Sequence, residues 1–69
     1  MEDHVYKQID VTGSSTVGTD DAIAKAIRKA GESVKHMDWF KVTEMRGYIE
    51  GDAVKYWQVT VKIGFRIED

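Results

Sequence analysis

The amino-acid sequence predicts a small α+β domain with the element order β-α-β-β, in which a three-stranded antiparallel sheet curls against one amphipathic helix. Three observations predict this fold. Residues 57–67 alternate apolar and polar side chains, as a strand with one buried face does. Apolar residues over 23–34 recur at helical spacing, and a glycine-containing turn at 50–52 separates two strand-like segments. Residues 1–69 are expected to form a single domain.

The first strand is predicted over residues 5–12, where the apolar residues share one face and Lys7 is the single misfit. The run Gly13-Ser14-Ser15-Thr16 consists of turn formers and is expected to end the strand. Glycine and hydroxyl groups before a helix also occur in phosphate-binding loops. This run lacks the lysine and the glycine spacing of a nucleotide loop, so a plain turn is the favoured interpretation.

The helix is predicted to begin at residues 18–19, with Asp20 and Asp21 in the first turn, where the helix dipole favours negative charge. The pair Lys35-His36 is expected near its end, where positive charge is favoured. Gly31 falls inside the predicted helix and is expected to permit close approach of a neighbour. The apolar face of the helix is predicted to contain Ile23, Ala26, Ile27, Ala30 and Val34.

The first arm of the hairpin places Phe40 and Val42 on the core face. Because successive side chains of a strand point to opposite sides, Trp39 is predicted to point away from the core, together with Lys41 and Thr43. A large ring on a face that the core does not use calls for a partner. The alternative is that the ring lies in a contact between subunits with no ligand.

The second arm has apolar side chains at its odd positions, so Trp57 is predicted to belong to the core, and Gln58 to lie on the same face as Trp39 and to be paired with it across the hairpin. Strict alternation in the first arm would turn Glu44 and Arg46 toward the core, and a bulge near Arg46-Gly47 is predicted to correct this. The second arm is longer than an average strand, and its free edge is expected to meet another subunit or to be protected.

The bulk composition favours an oligomer. A chain of this length buries a small core, and it has no cysteine and only two histidines with which to supplement that core. The net charge of -2, with both signs interspersed, argues against nucleic acid as a partner. The polar N-terminal residues and the absence of a long apolar run argue against a signal peptide and a membrane span. A soluble cytoplasmic protein is expected.

Four segments, in this order and spacing, resemble the dodecin family over nearly the whole chain. They are Val11-Thr12-Gly13-Ser14-Ser15, Asp38-Trp39-Phe40-Lys41-Val42, Met45-Arg46-Gly47 and Trp57-Gln58-Val59-Thr60-Val61-Lys62-Ile63-Gly64-Phe65-Arg66. Each motif alone is weak, but the combination is specific. Arg46 matches an arginine of the bacterial branch, so the resemblance is to dodecins of the bacterial type.

The resemblance implies a flavin-binding protein, a hollow shell of twelve copies with flavins paired between subunits. It implies that the flavin ring stacks on Trp39, that Gln58 hydrogen-bonds the ring edge, and that Arg46 lies near the phosphate of FMN. FMN, riboflavin or FAD is the expected ligand, used for flavin storage, buffering or photoprotection. The residues that could line or flank the site are Tyr6, Lys41, Glu44 and Tyr48.

Two other classes of function stay open beside flavin storage. Coenzyme A binding, or a purely structural shell, is the alternative that the resemblance leaves. A flavin-dependent oxidoreductase is less favoured, because a flavin enclosed between tryptophan and a second flavin leaves little room for a substrate. No pair of nucleophile and base stands out in the sequence, so no enzymatic activity is expected.

Overall fold

The computed structural model describes residues 3–67, and within them the predicted order β-α-β-β is confirmed. The elements are β1 (Tyr6–Ser15), α1 (Thr19–Ala30), β2 (Met37–Glu50) and β3 (Ala53–Arg66). Gly51 and Asp52 form the hairpin turn between β2 and β3, as predicted. Gly51 has a φ of 67°, in the left-handed region that glycine occupies without strain.

The three strands form one antiparallel sheet in the order β1-β3-β2, so β3 lies in the centre. The prediction of a free edge on the second arm is wrong for most of its length, because β1 pairs with residues 57–66 from one side while β2 pairs from the other. Only residues 53–56 extend past the end of β1. The exposed strand edges of the described chain therefore belong to β1, to β2 and to this end of the hairpin.

The core lies between the helix and the odd-numbered side chains of β3. Val59, Val61 and Ile63 are fully buried there. The helix contributes three small residues, and these let its backbone approach the sheet closely. They are Ala22, Ala26 and Ala30. Trp57 points to the same side, as predicted, but it is only half-buried and is not part of the buried cluster.

The predicted turn at residues 13–16 is wrong over its first three residues, which are part of β1. The packing around Gly13 explains why. A Cβ on Gly13 would overlap the carbonyl oxygen of Ala22 and would lie 3.1 Å from Cβ of Ala26. The glycine is therefore required by the close packing of helix on strand rather than by a turn. Tertiary contact overrides the local turn preference of the run.

The hydroxyl of Ser15, which is buried, connects the end of β1 to the start of the helix. It donates a hydrogen bond to Oδ2 of Asp21 at 2.6 Å and accepts from the backbone N–H groups of Val17 at 2.9 Å and Gly18 at 3.2 Å. A phosphate-binding loop would offer N–H groups of this kind to a phosphate, but here they are already hydrogen-bonded to the Ser15 side chain. The Ser15 hydrogen bond, aided by Lys25, lowers the pKa of the Asp21 carboxyl below its usual value.

The helix is shorter than predicted and ends at Ala30, so Val34 and the pair Lys35-His36 lie beyond it. Gly31 caps the helix instead of lying inside it, with its N–H bonded to the carbonyl of Ile27 at 2.9 Å. The expected close approach at Gly31 is confirmed, since a Cβ there would lie 3.1 Å from Cε of Met37. The basic residues of the last turn are Arg28 and Lys29.

The register of β2 on β3 shifts at three places, none of them at the predicted Arg46-Gly47: between Met37 and Trp39, between Val42 and Glu44, and between Tyr48 and Ile49. Val42 pairs with Val61 and Glu44 with Thr60, so that Thr43 is the extra residue. The Thr43 hydroxyl donates to the carbonyl of Thr60 at 3.3 Å. Because the extra residue comes before Glu44 rather than after it, the side chains of Glu44, Arg46 and Tyr48 lie on the same side as Trp39, and Met45 lies on the helix side.

The helix packs mainly on β1 and β3, which leaves the helix side of β2 uncovered. Phe40, Val42 and Met45 form a row there, called the β2 apolar row below, and they are 47%, 39% and 57% exposed. Near the end of the hairpin Ile49 and Val54 are exposed as well. A row of this kind is the surface that a contact with another protein would bury.

The hydrogen bond between Ser15 and Asp21 predicts a pH-dependent contribution to stability. A carboxyl whose pKa is lowered in the folded state stabilises the fold above its unfolded-state pKa, and this stabilisation is lost as the pH falls through the folded-state pKa. We expect Asp21→Asn to lower the thermal midpoint at neutral pH and to converge with the parent in acid. Thermal unfolding between about pH 7 and pH 2 measures this.

Asp20→Asn is the matched control, because Asp20 occupies the same helical turn with no hydrogen bond to Ser15. Loss of general charge at the helix start would lower both variants alike. Equal pH profiles for the two variants would therefore contradict a specific role of the Ser15 contact.

Candidate functional site

All seven residues that the sequence indicated for the site lie on the outer face of the sheet, which is the face turned away from the helix. The register places each of them beside an even-numbered residue of β3 or on β3 itself. They are Tyr6 on β1, Trp39, Lys41, Glu44, Arg46 and Tyr48 on β2, and Gln58 on β3. The predicted orientation of Trp39 and Gln58 away from the core is confirmed.

Trp39 lies flat over Gly64, its partner in the central strand. A Cβ on Gly64 would overlap Cε2 and Cζ2 of the indole and would lie 2.8 Å from Cδ2. One face of the ring therefore rests on the backbone of β3, while the side chain is 41% exposed. Gly64 was missed as a site residue, although a lone glycine inside a strand is a known signal of close approach.

Gln58, on the outer face, is half-buried and is held by its neighbours. Its Nε2 donates to Oγ of Ser14 at 3.1 Å, and the hydroxyl of Tyr48 lies 3.5 Å from its Oε1. The ring of Tyr48 stacks on that of Tyr56, with centroids 4.7 Å apart and planes at 25°. Tyr56 lies just outside the motifs of the sequence, and Ser14 was missed because the run that contains it was interpreted as a turn.

Charged side chains occupy the middle of the outer face. Arg46 forms an ion pair with Glu44, and Lys62 lies 3.4 Å from Asp10. Lys41 stands directly opposite Lys62 and has no carboxylate partner among residues 3–67. The row of Asp10, Lys62 and Lys41 thus has two ammonium groups and one carboxylate. Because like charges that stand opposite each other repel, this row favours the binding of an anion.

Tyr6 lies at the far end of the outer face, opposite Arg66. Its ring makes an edge contact with that of His4, with centroids 6.5 Å apart. Tyr6 thus flanks the row of Trp39 and Gly64 rather than the row of Gln58.

The structure does not bring Trp39 and Gln58 together within one copy. Gln58 pairs across the hairpin with Arg46, whereas Trp39 pairs with Gly64, and the prediction that Trp39 and Gln58 face each other is wrong. The two positions are six residues apart along β3, which amounts to about 20 Å along an extended strand. An indole that can stack and an amide that can hydrogen-bond therefore lie far apart on the outer face of one copy.

Within residues 3–67 no helix is long and apolar enough to cross a membrane. The same part of the chain contains no group of three or more histidine, aspartate or glutamate side chains that could hold a metal ion.

Residues 5–68 match the family model named Dodecin. The chain belongs to the dodecin family. It is 42% identical over 65 residues to the dodecin of Thermus thermophilus, with 94% of each chain covered. The solved dodecin of Streptomyces davaonensis shares the fold with a TM-score of 0.93 at 38% identity, covering 99% of this chain and 100% of that one. The dodecin of Streptomyces coelicolor gives 0.92 at 42% identity, with 100% and 99% covered.

The support that Gly64 gives to Trp39 predicts the effect of a single methyl group. Because a Cβ would overlap the indole, we expect Gly64→Ala to move the ring off the sheet and to cost about 1 to 3 kcal/mol of stability, as for other overpacked sites. In a Trp57→Phe background the emission comes from Trp39 alone. Its maximum should shift to the red, and quenching by acrylamide should increase.

Gly47→Ala is the matched control on β2, because a Cβ there would meet only the carbonyl oxygen of Tyr56 at 3.5 Å and Cγ1 of Val54 at 4.0 Å. We expect this variant to leave the Trp39 emission unchanged. If Gly64→Ala also left it unchanged while far-ultraviolet circular dichroism showed a folded protein, the indole would not depend on Gly64 for its position.

Proposed function

We propose that this chain binds flavin at interfaces between its own copies, and that it stores or buffers flavin or protects it from light without catalysing a reaction. The observation that carries the proposal is the indole of Trp39, supported on one face by Gly64 and left accessible on a sheet surface that the core does not use. Membership of the dodecin family supports the same conclusion.

Stacking is the interaction that Trp39 can supply. An indole offers a flat, electron-rich face, and an aromatic stack contributes about 0.5 to 1.5 kcal/mol beyond the burial of area. The three-ring system of a flavin is flat and electron-poor, which suits this face. Electron transfer from a stacked indole would also quench the excited flavin, and this is the physical basis of the proposed protection from light.

Gln58 supplies the hydrogen bonds, and in this proposal it comes from a different copy than the stacking Trp39. The two side chains are about 20 Å apart along β3 within one copy, farther than one flavin ring system extends. A side-chain amide carries both donors and an acceptor. The pyrimidine edge of a flavin presents carbonyl oxygens and one N–H, so the two groups are complementary.

The proposed assembly is a closed shell of twelve copies. The β2 apolar row, with Phe40, Val42 and Met45 exposed in the single chain, and the small core of the isolated domain both favour association. Closed symmetric assembly is the usual form of a soluble homo-oligomer. Placing Trp39 of one copy against Gln58 of another then completes each flavin site.

Lys41 and Arg46 lie on the same face as Trp39, and Lys41, which has no carboxylate partner among residues 3–67, supplies positive charge that suits the phosphate of FMN. FMN, riboflavin and FAD share the ring that Trp39 would bind, and we propose that the store is cytoplasmic. Mass spectrometry of the compound released on denaturing the purified protein tests the ligand. A flavin supports the proposal, whereas coenzyme A alone, or no compound together with no binding of added flavin, would refute it.

Trp39→Ala should weaken flavin binding at least tenfold, since loss of a buried aromatic anchor costs on the order of 2 to 4 kcal/mol. It should also abolish most of the quenching of flavin fluorescence. Gln58→Ala removes hydrogen bonds worth about 0.5 to 1.5 kcal/mol each and should weaken binding less, with quenching retained. Titration of riboflavin or FMN, followed by flavin fluorescence, measures both effects.

Trp57→Ala is the control for the loss of a tryptophan, because Trp57 lies on the helix side of the sheet. We expect it to lower the thermal midpoint and to leave quenching intact. Loss of quenching in Trp57→Ala, with normal quenching in Trp39→Ala, would show that the flavin lies on the other face.

Mixed assemblies test whether each site draws on two copies. Chains with Trp39→Ala and chains with Gln58→Ala, unfolded and refolded together, should form some sites that combine the intact tryptophan of one chain with the intact glutamine of another. These sites should bind with the parent affinity, which neither variant shows alone. Light scattering should return a closed oligomer of about twelve copies in each case.

No recovery of high-affinity sites in assemblies that mass spectrometry shows to be mixed would mean that Trp39 and Gln58 of one site belong to one copy. A folded monomer or dimer at micromolar concentration would rule out the shell.

A further inference from the structure

Ser14 stands directly opposite Gln58 in the register of β1 and β3, and both side chains lie on the outer face. The Ser14 hydroxyl accepts a hydrogen bond from Nε2 of Gln58 at 3.1 Å. This is a well-formed hydrogen bond between the edge strand and the central strand. It uses one of the two N–H groups of the amide and leaves the other N–H and most of the carbonyl capacity for a ligand.

A glutamine side chain rotates freely unless something holds it, and ordering it on binding lowers the affinity by about two- to tenfold. We infer that Ser14 is a positioning residue of the proposed flavin site, which orients the Gln58 amide before the ligand arrives. This inference rests on the proposed function. It extends the site to β1, a strand to which the sequence assigned only Tyr6 at the far end of the face.

Tyr48 is less suited to this role than Ser14. Its hydroxyl lies 3.5 Å from Oε1 of Gln58, which is long for a hydrogen bond between two oxygens. The Tyr48 ring is instead placed by its stack on Tyr56. The contact from Ser14 is the shorter of the two contacts to Gln58. It comes from β1, which pairs with β3 on the edge opposite to β2.

The test compares riboflavin with riboflavin methylated at N3, a change that removes the single N–H of the pyrimidine edge. The parent should bind riboflavin more tightly than the methylated form, and Gln58→Ala should show only the steric part of that preference. Ser14→Ala should weaken riboflavin binding about three- to tenfold and reduce the preference toward that of Gln58→Ala. Ser14→Thr retains the hydroxyl and should restore both.

Thr12→Val is the matched control. Thr12 lies two residues from Ser14 on the same face of β1, and its hydroxyl bonds that of Thr60 at 2.8 Å rather than Gln58. This variant removes a cross-strand hydrogen bond without touching the amide, so both the affinity and the preference should stay at the parent values.

Three results would overturn the inference. The first is a parent-like preference between the two flavins in Ser14→Ala, the second is a failure of Ser14→Thr to restore it, and the third is an equal loss of preference in Thr12→Val. Failure of the proposed function has a different signature, because the parent protein would then bind neither flavin.

Discussion

The central position of β3 constrains both the core and the candidate site. Its odd-numbered side chains Val59, Val61 and Ile63 are the largest fully buried groups of the described chain. Its even-numbered positions form the floor of the outer face, where Gly64 supports Trp39 and Gln58 pairs with Ser14. A shift of one residue in the pairing of β3 would exchange these two sets. Burial of the odd set therefore also fixes which residues face a ligand.

The sequence predicted the faces of the strands well, because alternation depends on the chain itself and not on its neighbours. It predicted the hairpin turn for the same reason, since Gly51 suits a local backbone conformation. Two other features depend on distant contacts. Gly13 is a strand residue because Ala22 packs against it, and β3 is central because β1 pairs on its far side. Local propensity contains none of this information.

In the candidate site, too, the sequence predicted which face each side chain occupies but not how the residues are arranged on that face. Every side chain that the sequence assigned to it lies on the outer face, but the distance between Trp39 and Gln58 follows from the register, which depends on the shifts at Thr43 and between Tyr48 and Ile49. The alternation of apolar and polar residues in β2 did not locate these shifts. Gly64 and Ser14 were missed for a physical reason. One acts by lacking a side chain and the other by holding a second residue, and neither role can be recognised from the residue type alone.

Separation of Trp39 and Gln58 along β3 couples ligand binding to assembly in the proposed function. A ligand that binds only where two copies meet stabilises their contact by an amount that grows with its concentration relative to its dissociation constant. At a hundredfold excess over that constant, the gain is about 2.7 kcal/mol for each site. The β2 apolar row supplies association energy that does not depend on the ligand. A shell held by both contributions can therefore remain closed as it empties, and this suits a protein that releases flavin and takes it up again.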